Sequence, residues 1–162
     1  GITALQLGEL RNQSNTLERA QLTATSVRER LQAVALCQLA TDELCPRGSG
    51  PVVQAALAAG CPMIQLREKQ VPDSRLLSRA RLLREWTRAA GALIIVNDRP
   101  DLAVLADADG VHLGQEDLSV ADARRIVGGD RLIGVSTHNV EQIRQAVHWP
   151  NPRGNPNRPP EH

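Results

Sequence analysis

The stretch ALIIVNDRPDLAVLADADGVHLGQED, residues 92–117, decides the fold of this chain. It contains two short runs, residues 93–96 and 110–113, of the kind that form buried strands in a parallel sheet. The residues between them have the proline position and apolar spacing of a helix. Because parallel strands joined by a helix point the same way, Asp98 and Asp117 are predicted to lie on one face of the sheet, where such sheets bind ligands.

The same alternation of strand and helix extends outward on both sides of this stretch. Further strands are predicted at residues 34–40, 62–66 and 132–135, with amphipathic helices between them. Five strands alternating with helices predict an α/β fold with a parallel sheet. A partial or complete TIM barrel, with about five βα units in this chain, is the preferred architecture, and a doubly wound sheet is the alternative.

Two segments flank this predicted barrel domain of residues 33–148. Residues 1–32 carry leucines and a valine among polar residues without strand-like alternation, which predicts a short helical segment before the barrel. Residues 149–162 are rich in proline and are predicted to be a disordered tail, because they cannot bury apolar surface. The first segment offers no residues for chemistry.

The composition limits the classes of partner. The chain has 162 residues, of which 41% are apolar, which is enough for one domain with a substantial core. It has no Phe or Tyr and a net charge of +1, so nucleic acid is not an expected partner. No apolar run approaches the roughly 20 residues of a membrane span, so no membrane association is expected. Three cysteines without C-x-x-C spacing favour a reducing cytoplasm.

The segment QLREK, residues 65–69, carries two candidate anion ligands at the end of a predicted strand. Strand alternation turns Gln65, Arg67 and Lys69 to one side, with Leu66 and Glu68 on the other. Two cations at a barrel mouth suit a diphosphate, so loss of either is expected to weaken diphosphate binding, whereas Glu68→Ala is expected to do little. The alternative is an ion-pair network with the two aspartates.

Asp98 and Asp117 supply hard oxygen ligands on neighbouring loops, which is how Mg²⁺ is usually held together with substrate phosphates. The alternatives are an ordinary turn residue for Asp98 and a helix cap for Asp117. Asn97 could orient a phosphate or simply end its strand. Ser136 offers a hydroxyl near a helix start, where backbone N–H groups favour anions, although capping explains a serine there equally well.

Two histidines lie near the predicted site. His112 falls inside a strand, and packing or hydrogen bonding is the preferred interpretation for it. His138 follows the last predicted strand, where proton transfer is a possible role. Their positions are too different to form a recognisable metal pair.

Four segments, QLREK at 65–69, IIVNDR at 94–99, GVHLGQED at 110–117 and GVSTH at 134–138, together resemble thiamine phosphate synthase. The resemblance extends over about residues 33–147. It implies a TIM barrel that joins a hydroxymethylpyrimidine diphosphate to a thiazole phosphate, giving thiamine phosphate and pyrophosphate.

The resemblance also implies roles for individual residues. The substrate-binding set is Gln65, Leu66, Arg67, Glu68, Lys69, Asn97 and Ser136, and the ligands of Mg²⁺ are Asp98 and Asp117. Gln65 is expected to face the pyrimidine. Arg67, Lys69 and Ser136 are expected to act in catalysis, by stabilising the departing pyrophosphate while a pyrimidine carbocation forms and the thiazole nitrogen captures it.

The chain departs from the family after its fifth predicted strand, where the family continues with further strands and phosphate-binding loops. The thiazole phosphate site and one diphosphate lysine are therefore expected to be absent. Three interpretations follow: a synthase or its fragment, a related thiazole tautomerase, and a non-catalytic diphosphate-binding remnant. The acidic pair favours a synthase over a tautomerase, which needs no metal. The open edges of a five-stranded sheet predict self-association and poor turnover by the chain alone.

Overall fold

The computed structural model describes residues 26–45 and 47–147, which form one parallel sheet with helices packed against it. The strands are β1 (Gln38–Ala40), β2 (Met63–Leu66), β3 (Leu93–Asn97), β4 (Gly110–Leu113) and β5 (Leu132–Val135). The helices are α1 (Val27–Gln32), α2 (Gly50–Ala58), α3 (Asp73–Ala90), α4 (Pro100–Leu105), α5 (Val120–Val127) and α6 (Val140–Val147), with a short 3₁₀ turn at Asp42–Leu44.

The strands lie in their sequence order, β1-β2-β3-β4-β5, and all neighbouring pairs are parallel. A doubly wound sheet reverses its strand order at a switch point, whereas a barrel wall does not. The predicted α/β fold is therefore confirmed, and the sheet is a partial barrel wall of five βα units.

Alternate side chains of the strands build two apolar layers. On one face, Ile64, Ile94 and Val111 are fully buried against the helices. On the other face, which is the inner face of the barrel wall, Met63 and Ile95 form a smaller buried cluster. Both faces of the central strands are covered, which explains why the sequence of β3 is an uninterrupted apolar run.

Helix α3 begins and ends where its sequence signals predict. Its buried side carries Leu76, Ala80 and Leu83 at helical spacing, and Gly91 ends it with a left-handed φ of 70°. At the start of α5, the Ser119 hydroxyl accepts a hydrogen bond from the backbone N–H of Asp122 at 3.1 Å and so caps the helix.

Asp109 ties several elements together at the amino-terminal ends of the strands. Its side chain, only 2% exposed, accepts hydrogen bonds from the backbone N–H of Ile94 and from Arg84, both at 2.8 Å. Arg30 of α1 lies 3.7 Å from the same carboxylate and donates to the carbonyl of Ala92 at 3.0 Å. This network holds α1 and α3 against the sheet.

The two edge strands differ most from the sequence predictions. The strand predicted at 34–40 is paired only over Gln38–Ala40, and Leu39 in it is 49% exposed. At the other edge, all four residues of β5 are half-buried and no residue of α6 is buried. Within the part of the chain described, no helix is long and apolar enough to cross a membrane. The remainder of the predicted helical segment, residues 1–25, and the predicted disordered tail lie outside the described residues.

Candidate ligand site at the carboxyl-terminal rim

Two side-chain amides meet at the carboxyl-terminal ends of β2 and β3. Gln65 donates a hydrogen bond through Nε2 to Oδ1 of Asn97, at 2.8 Å. The contact follows from the register of the two strands, which sets Gln65 opposite Ile95 and two residues from Asn97. The bond orients both amides, and the Asn97 side chain also hydrogen-bonds the neighbouring Asp98 carboxylate.

A histidine and a serine meet in the same way one strand further along. Nε2 of His112 in β4 lies 2.9 Å from the hydroxyl of Ser136, which follows β5. Gly134 makes room for the imidazole, because a Cβ at that position would lie 2.7 Å from Nδ1 of His112. The preference for hydrogen bonding at His112 is confirmed. Its partner could have been found from the strand register, which sets His112 opposite Gly134.

The two aspartates predicted to share a face do meet. Asp98 follows β3 with a left-handed φ of 63°, and its backbone N–H donates to the carbonyl of His112 at 2.8 Å. Asp117 accepts a hydrogen bond from the backbone N–H of Gly114 at 2.6 Å. Partial burial, and then the nearby Asp117 carboxylate, raise the pKa of Asp98 above its usual value, and the hydrogen bond from Asn97 and then the charge of Arg67 counteract this in part.

The two cations of the QLREK segment remain without carboxylate partners. Arg67 is half-buried and Lys69 is exposed. Among the described residues, neither of them forms an ion pair, although Arg67 is near enough to lower the pKa of Asp98. A direct ion pair between these cations and the two aspartates is therefore not found among the described residues, and the only interaction is the charge of Arg67 acting on Asp98.

Leu66 and Glu68 face away from the rim interior, as strand alternation predicts. Leu66 is 1% exposed and belongs to the core between the sheet and the helices. The Glu68 carboxylate is 4% exposed, accepts the backbone N–H of Asp42 at 3.0 Å and lies 3.3 Å from Nε of Arg79. Of the substrate-binding set that the resemblance implies, these two side chains are thus turned away from a ligand at the rim. The expectation that Glu68→Ala does little is also revised, since removing a buried, paired carboxylate is disruptive.

His138 is exposed, and its backbone takes part in the cap of α6. Its N–H donates to Oε1 of Gln142 at 2.7 Å, while the backbone N–H of Gln142 donates to Oδ1 of Asn139 at 2.9 Å. The Asn139 side chain thus caps α6, and the Gln142 side chain accepts from the residue before the cap. No described hydrogen bond joins His138 to the other rim residues, so the proton-transfer role considered for it stays a prediction.

A parallel βα wall whose carboxyl-terminal rim gathers amides, a hydroxyl, carboxylates and cations defines a protein of the βα-barrel class, and that rim is its candidate small-molecule site. Comparison with known proteins agrees with this class and narrows it. The family model described as thiamine monophosphate synthase matches residues 36–151. The chain belongs to the thiamine monophosphate synthase family.

The matches to individual relatives cover comparable shares of the chain. A thiamine-phosphate synthase of Nostoc punctiforme is 52% identical over 95 residues, which are 59% of this chain and 27% of that protein. One from Moorella thermoacetica is 48% identical over 95 residues, or 59% of this chain and 45% of that protein. The structure of a thiamine phosphate pyrophosphorylase from Pyrococcus furiosus superimposes with a TM-score of 0.66 at 35% identity, covering 72% of this chain and 57% of that one. The chain thus spans less than half the length of these two curated relatives.

Proposed function

We propose that this chain carries the diphosphate-binding half of a transferase that couples hydroxymethylpyrimidine diphosphate to thiazole phosphate, giving thiamine phosphate and pyrophosphate. One observation supports the proposal above all others. Two cations that form no ion pair within the described part of the chain, Arg67 and Lys69, share a rim with two neighbouring carboxylates, Asp98 and Asp117. A diphosphate with a divalent cation is the ligand that complements both charge pairs.

The acidic pair fits Mg²⁺ as part of a larger shell. Asp98 and Asp117 offer hard oxygen ligands, and a cation between them would relieve the repulsion that contributes to the raised pKa of Asp98. Within the described residues, no group of three or more His, Cys, Asp or Glu side chains could hold a metal ion. The remaining ligands would therefore be diphosphate oxygens and water. When bound, Mg²⁺ would neutralise charge on the diphosphate.

The other rim residues have roles that follow from their contacts. Arg67 and Lys69 bind the diphosphate oxygens and stabilise the charge of the departing pyrophosphate. Asn97, whose amide is oriented by Gln65, donates its N–H groups to the same anion. Ser136 donates its hydroxyl, with the imidazole of His112 as its hydrogen-bond partner. No protein nucleophile is needed, because the thiazole nitrogen is the attacking group.

A binding remnant that lacks turnover is the second candidate, and one feature of the sheet favours it. The edge strand β5 is only half-buried and no residue of α6 is buried, so among the described residues nothing pairs with the wall on the side where a barrel continues. The tautomerase alternative gains no support, because it gives the acidic pair no task.

We further propose that the chain associates with itself through these open edges. A cytoplasmic location is supported by the free thiols of the three cysteines.

Calorimetric titration of the chain with inorganic pyrophosphate and Mg²⁺ tests the proposed site. We expect weak Mg²⁺ binding without phosphate and Mg²⁺-dependent binding of pyrophosphate, which Asp98→Ala removes. Asp107→Ala is the matched control, because Asp107 also has a left-handed φ, of 53°, but lies on the opposite rim. Strong Mg²⁺ binding without pyrophosphate, or equal ternary binding by the Asp98→Ala chain, would contradict the proposal.

A further inference from the structure

A polar cluster lies beside the candidate site but faces away from it. It consists of Asp42 and Ser49 from the β1–α2 connection, Glu68 after β2, and Arg79 of α3, and we call it the Arg79 cluster. The guanidinium of Arg79 contacts both carboxylate oxygens of Asp42 and the hydroxyl of Ser49. Its Nε lies 3.3 Å from Oε1 of Glu68. The side chains of Arg79 and Glu68 are 19% and 4% exposed.

The cluster fixes the β1–α2 connection to the segment that follows β2. The backbone N–H of Ser49 donates to Asp42 Oδ1 at 2.5 Å, and the backbone N–H of Asp42 donates to Glu68 Oε1 at 3.0 Å. Gly48, with a left-handed φ of 73°, lets the chain pass close to the Asp42 carboxylate. Since an unpaired buried carboxylate is strongly unfavourable, Glu68 is held at the cluster as long as Arg79 and Asp42 are in place.

Holding Glu68 on the outer side fixes the segment that carries its two neighbours. Successive side chains of an extended segment alternate, so an outward Glu68 turns Arg67 toward the rim interior, where it lies near Asp98. Lys69 follows Glu68 directly, at the bend that ends this segment, and its backbone is positioned by the same anchor. The backbone of Arg67 is held from the same side, with its N–H donating to the carbonyl of Ala40 at 3.0 Å and its carbonyl accepting from the Thr41 hydroxyl at 2.8 Å. Within the described residues, neither Arg67 nor Lys69 has an ion pair that would orient it, so the orientation of both depends on the anchor at Glu68.

We propose that Arg79 is a positioning residue for the diphosphate site, acting through Glu68 on Arg67 and Lys69. The inference rests on the proposed function in that it takes those two cations as the diphosphate ligands. Arg79→Met removes the ion-pair partner that Glu68 shares with Asp42, leaves Glu68 only the more distant charge of Arg75, and loosens the segment that carries the ligands. The affinity for Mg²⁺-pyrophosphate then falls on the order of 10-fold, a loss typical when an outer partner of a ligand-binding residue is removed.

The test compares Arg79→Met with Arg84→Met in the full chain. Arg84 is a matched control because it lies on the same helix, is 16% exposed, and pairs at 2.8 Å with the buried Asp109 at the opposite rim. Both variants should unfold at lower temperature, but only Arg79→Met should weaken Mg²⁺-pyrophosphate binding in calorimetry. Arg79→Lys, which keeps the charge, should restore part of the affinity. In a Lys69→Ala chain, Arg79→Met should weaken binding less than it does alone.

Equal loss of affinity in the two methionine variants, or full additivity with Lys69→Ala, would overturn the inference. Should Arg79→Met not fold, the milder Glu68→Gln replaces it, with the same expected selective loss of affinity. Amide exchange of Arg67 gives an independent measurement that needs no ligand. If the parent chain fails to bind Mg²⁺-pyrophosphate, the proposed function fails. Faster exchange of the Arg67 amide in Arg79→Met, but not in Arg84→Met, would still support the positioning of the segment. Unchanged exchange overturns it.

Discussion

At the scale of the residue, Asp98 shows that the site is built from locally unfavourable choices. It is an aspartate with a left-handed φ of 63°, and the neighbouring Asp117 carboxylate contributes to its raised pKa. Asparagine and aspartate tolerate this backbone conformation better than other residues with side chains. A position that combines backbone strain with charge repulsion is expected where a ligand, and not stability, determines the residue.

We predict that Asp98→Asn stabilises the chain without ligands while removing Mg²⁺-dependent pyrophosphate binding. Asparagine accepts the same backbone conformation and removes the repulsion with Asp117, a gain of about 0.5 kcal/mol for two partly solvated groups. The pKa of Asp98 is raised in the folded state, so the folded chain takes up a proton at a higher pH than the unfolded chain does. The parent chain therefore gains stability as pH falls from the raised pKa of the folded state to the ordinary value of 3.8. The advantage of the variant is therefore complete at neutral pH and shrinks as pH falls through that range.

Thermal unfolding of both chains across this pH range checks the prediction. Asp107→Asn serves as the control, since Asp107 has a similar φ but is paired with Arg88 at 2.7 Å and Arg131 at 3.2 Å. That variant should be no more stable than the parent. A lower melting temperature for Asp98→Asn at neutral pH would show that the repulsion has been misjudged.

Residue positions at the site followed from strand alternation, but their partners did not. The period of two correctly separates Arg67 from Leu66 and Glu68, because it depends only on the extended backbone. The contact between Glu68 and Asp42 joins residues far apart in sequence and depends on how the β1–α2 connection is shaped around Gly48. Such side-chain partners are set by loop conformation, which apolar periodicity does not encode.

At the scale of the element, the central strands and the long helix were predictable and the edges were not. The termini of α3 are encoded locally, by Pro72 before its first turn and Gly91 after its last. The length of β1 is not encoded locally, because it depends on what lies beside it. The partner strand begins at Met63, after Pro62, which has no N–H to donate, and pairing accordingly starts at Gln38.

The amino-terminal rim is expected to carry stability rather than function. Asp109→Ala removes the acceptor for Ile94 and leaves Arg84 without its buried partner, so we predict a loss of about 3 kcal/mol or more in the free energy of unfolding. Urea unfolding measures this loss, with the exposed Asp107→Ala as the control. The affinity for Mg²⁺-pyrophosphate, corrected for the fraction of chain that is folded, should not change. A comparable loss of affinity would mean that the two rims are coupled.

At the scale of the whole molecule, no described strand pairs with either edge of the five-stranded wall, and apolar side chains lie nearby. Helix α6 has Val140, Ile143 and Val147 at 62%, 49% and 69% exposure, and Leu39 in β1 is 49% exposed. Unpaired strand edges and exposed apolar stripes favour association. We therefore predict concentration-dependent association of the 162-residue chain.

Light scattering across a concentration series measures that association. The double variant Ile143→Glu and Val147→Glu should reduce it, because both substitutions add charge to the apolar stripe of α6. Glu141→Gln is the control on the same helix, since Glu141 is exposed and lies off that stripe. A chain that stays monomeric at every concentration would show that the edges are protected in another way.

The extent of the wall also determines what the chain can catalyse alone. A TIM barrel closes with eight strands and builds its active site from the loops at all eight carboxyl ends, whereas the described residues supply five. The proposed function assigns the charged side chains of the described rim to the diphosphate and its Mg²⁺, so it leaves none of them to hold a second substrate. Losing the orientation of one reactant can remove about 7 kcal/mol of effective concentration, which is far more than any single rim contact contributes.

We therefore predict that the 162-residue chain binds Mg²⁺-pyrophosphate but forms thiamine phosphate far more slowly than a chain extended by three βα units from a longer relative. Both chains should be assayed with the two substrates at saturating concentration. An extended chain carrying Lys69→Ala controls for activity contributed by the added units alone, and it should be slow as well. Comparable turnover by the short and extended chains would mean that five units suffice, with self-association supplying the missing side of the site.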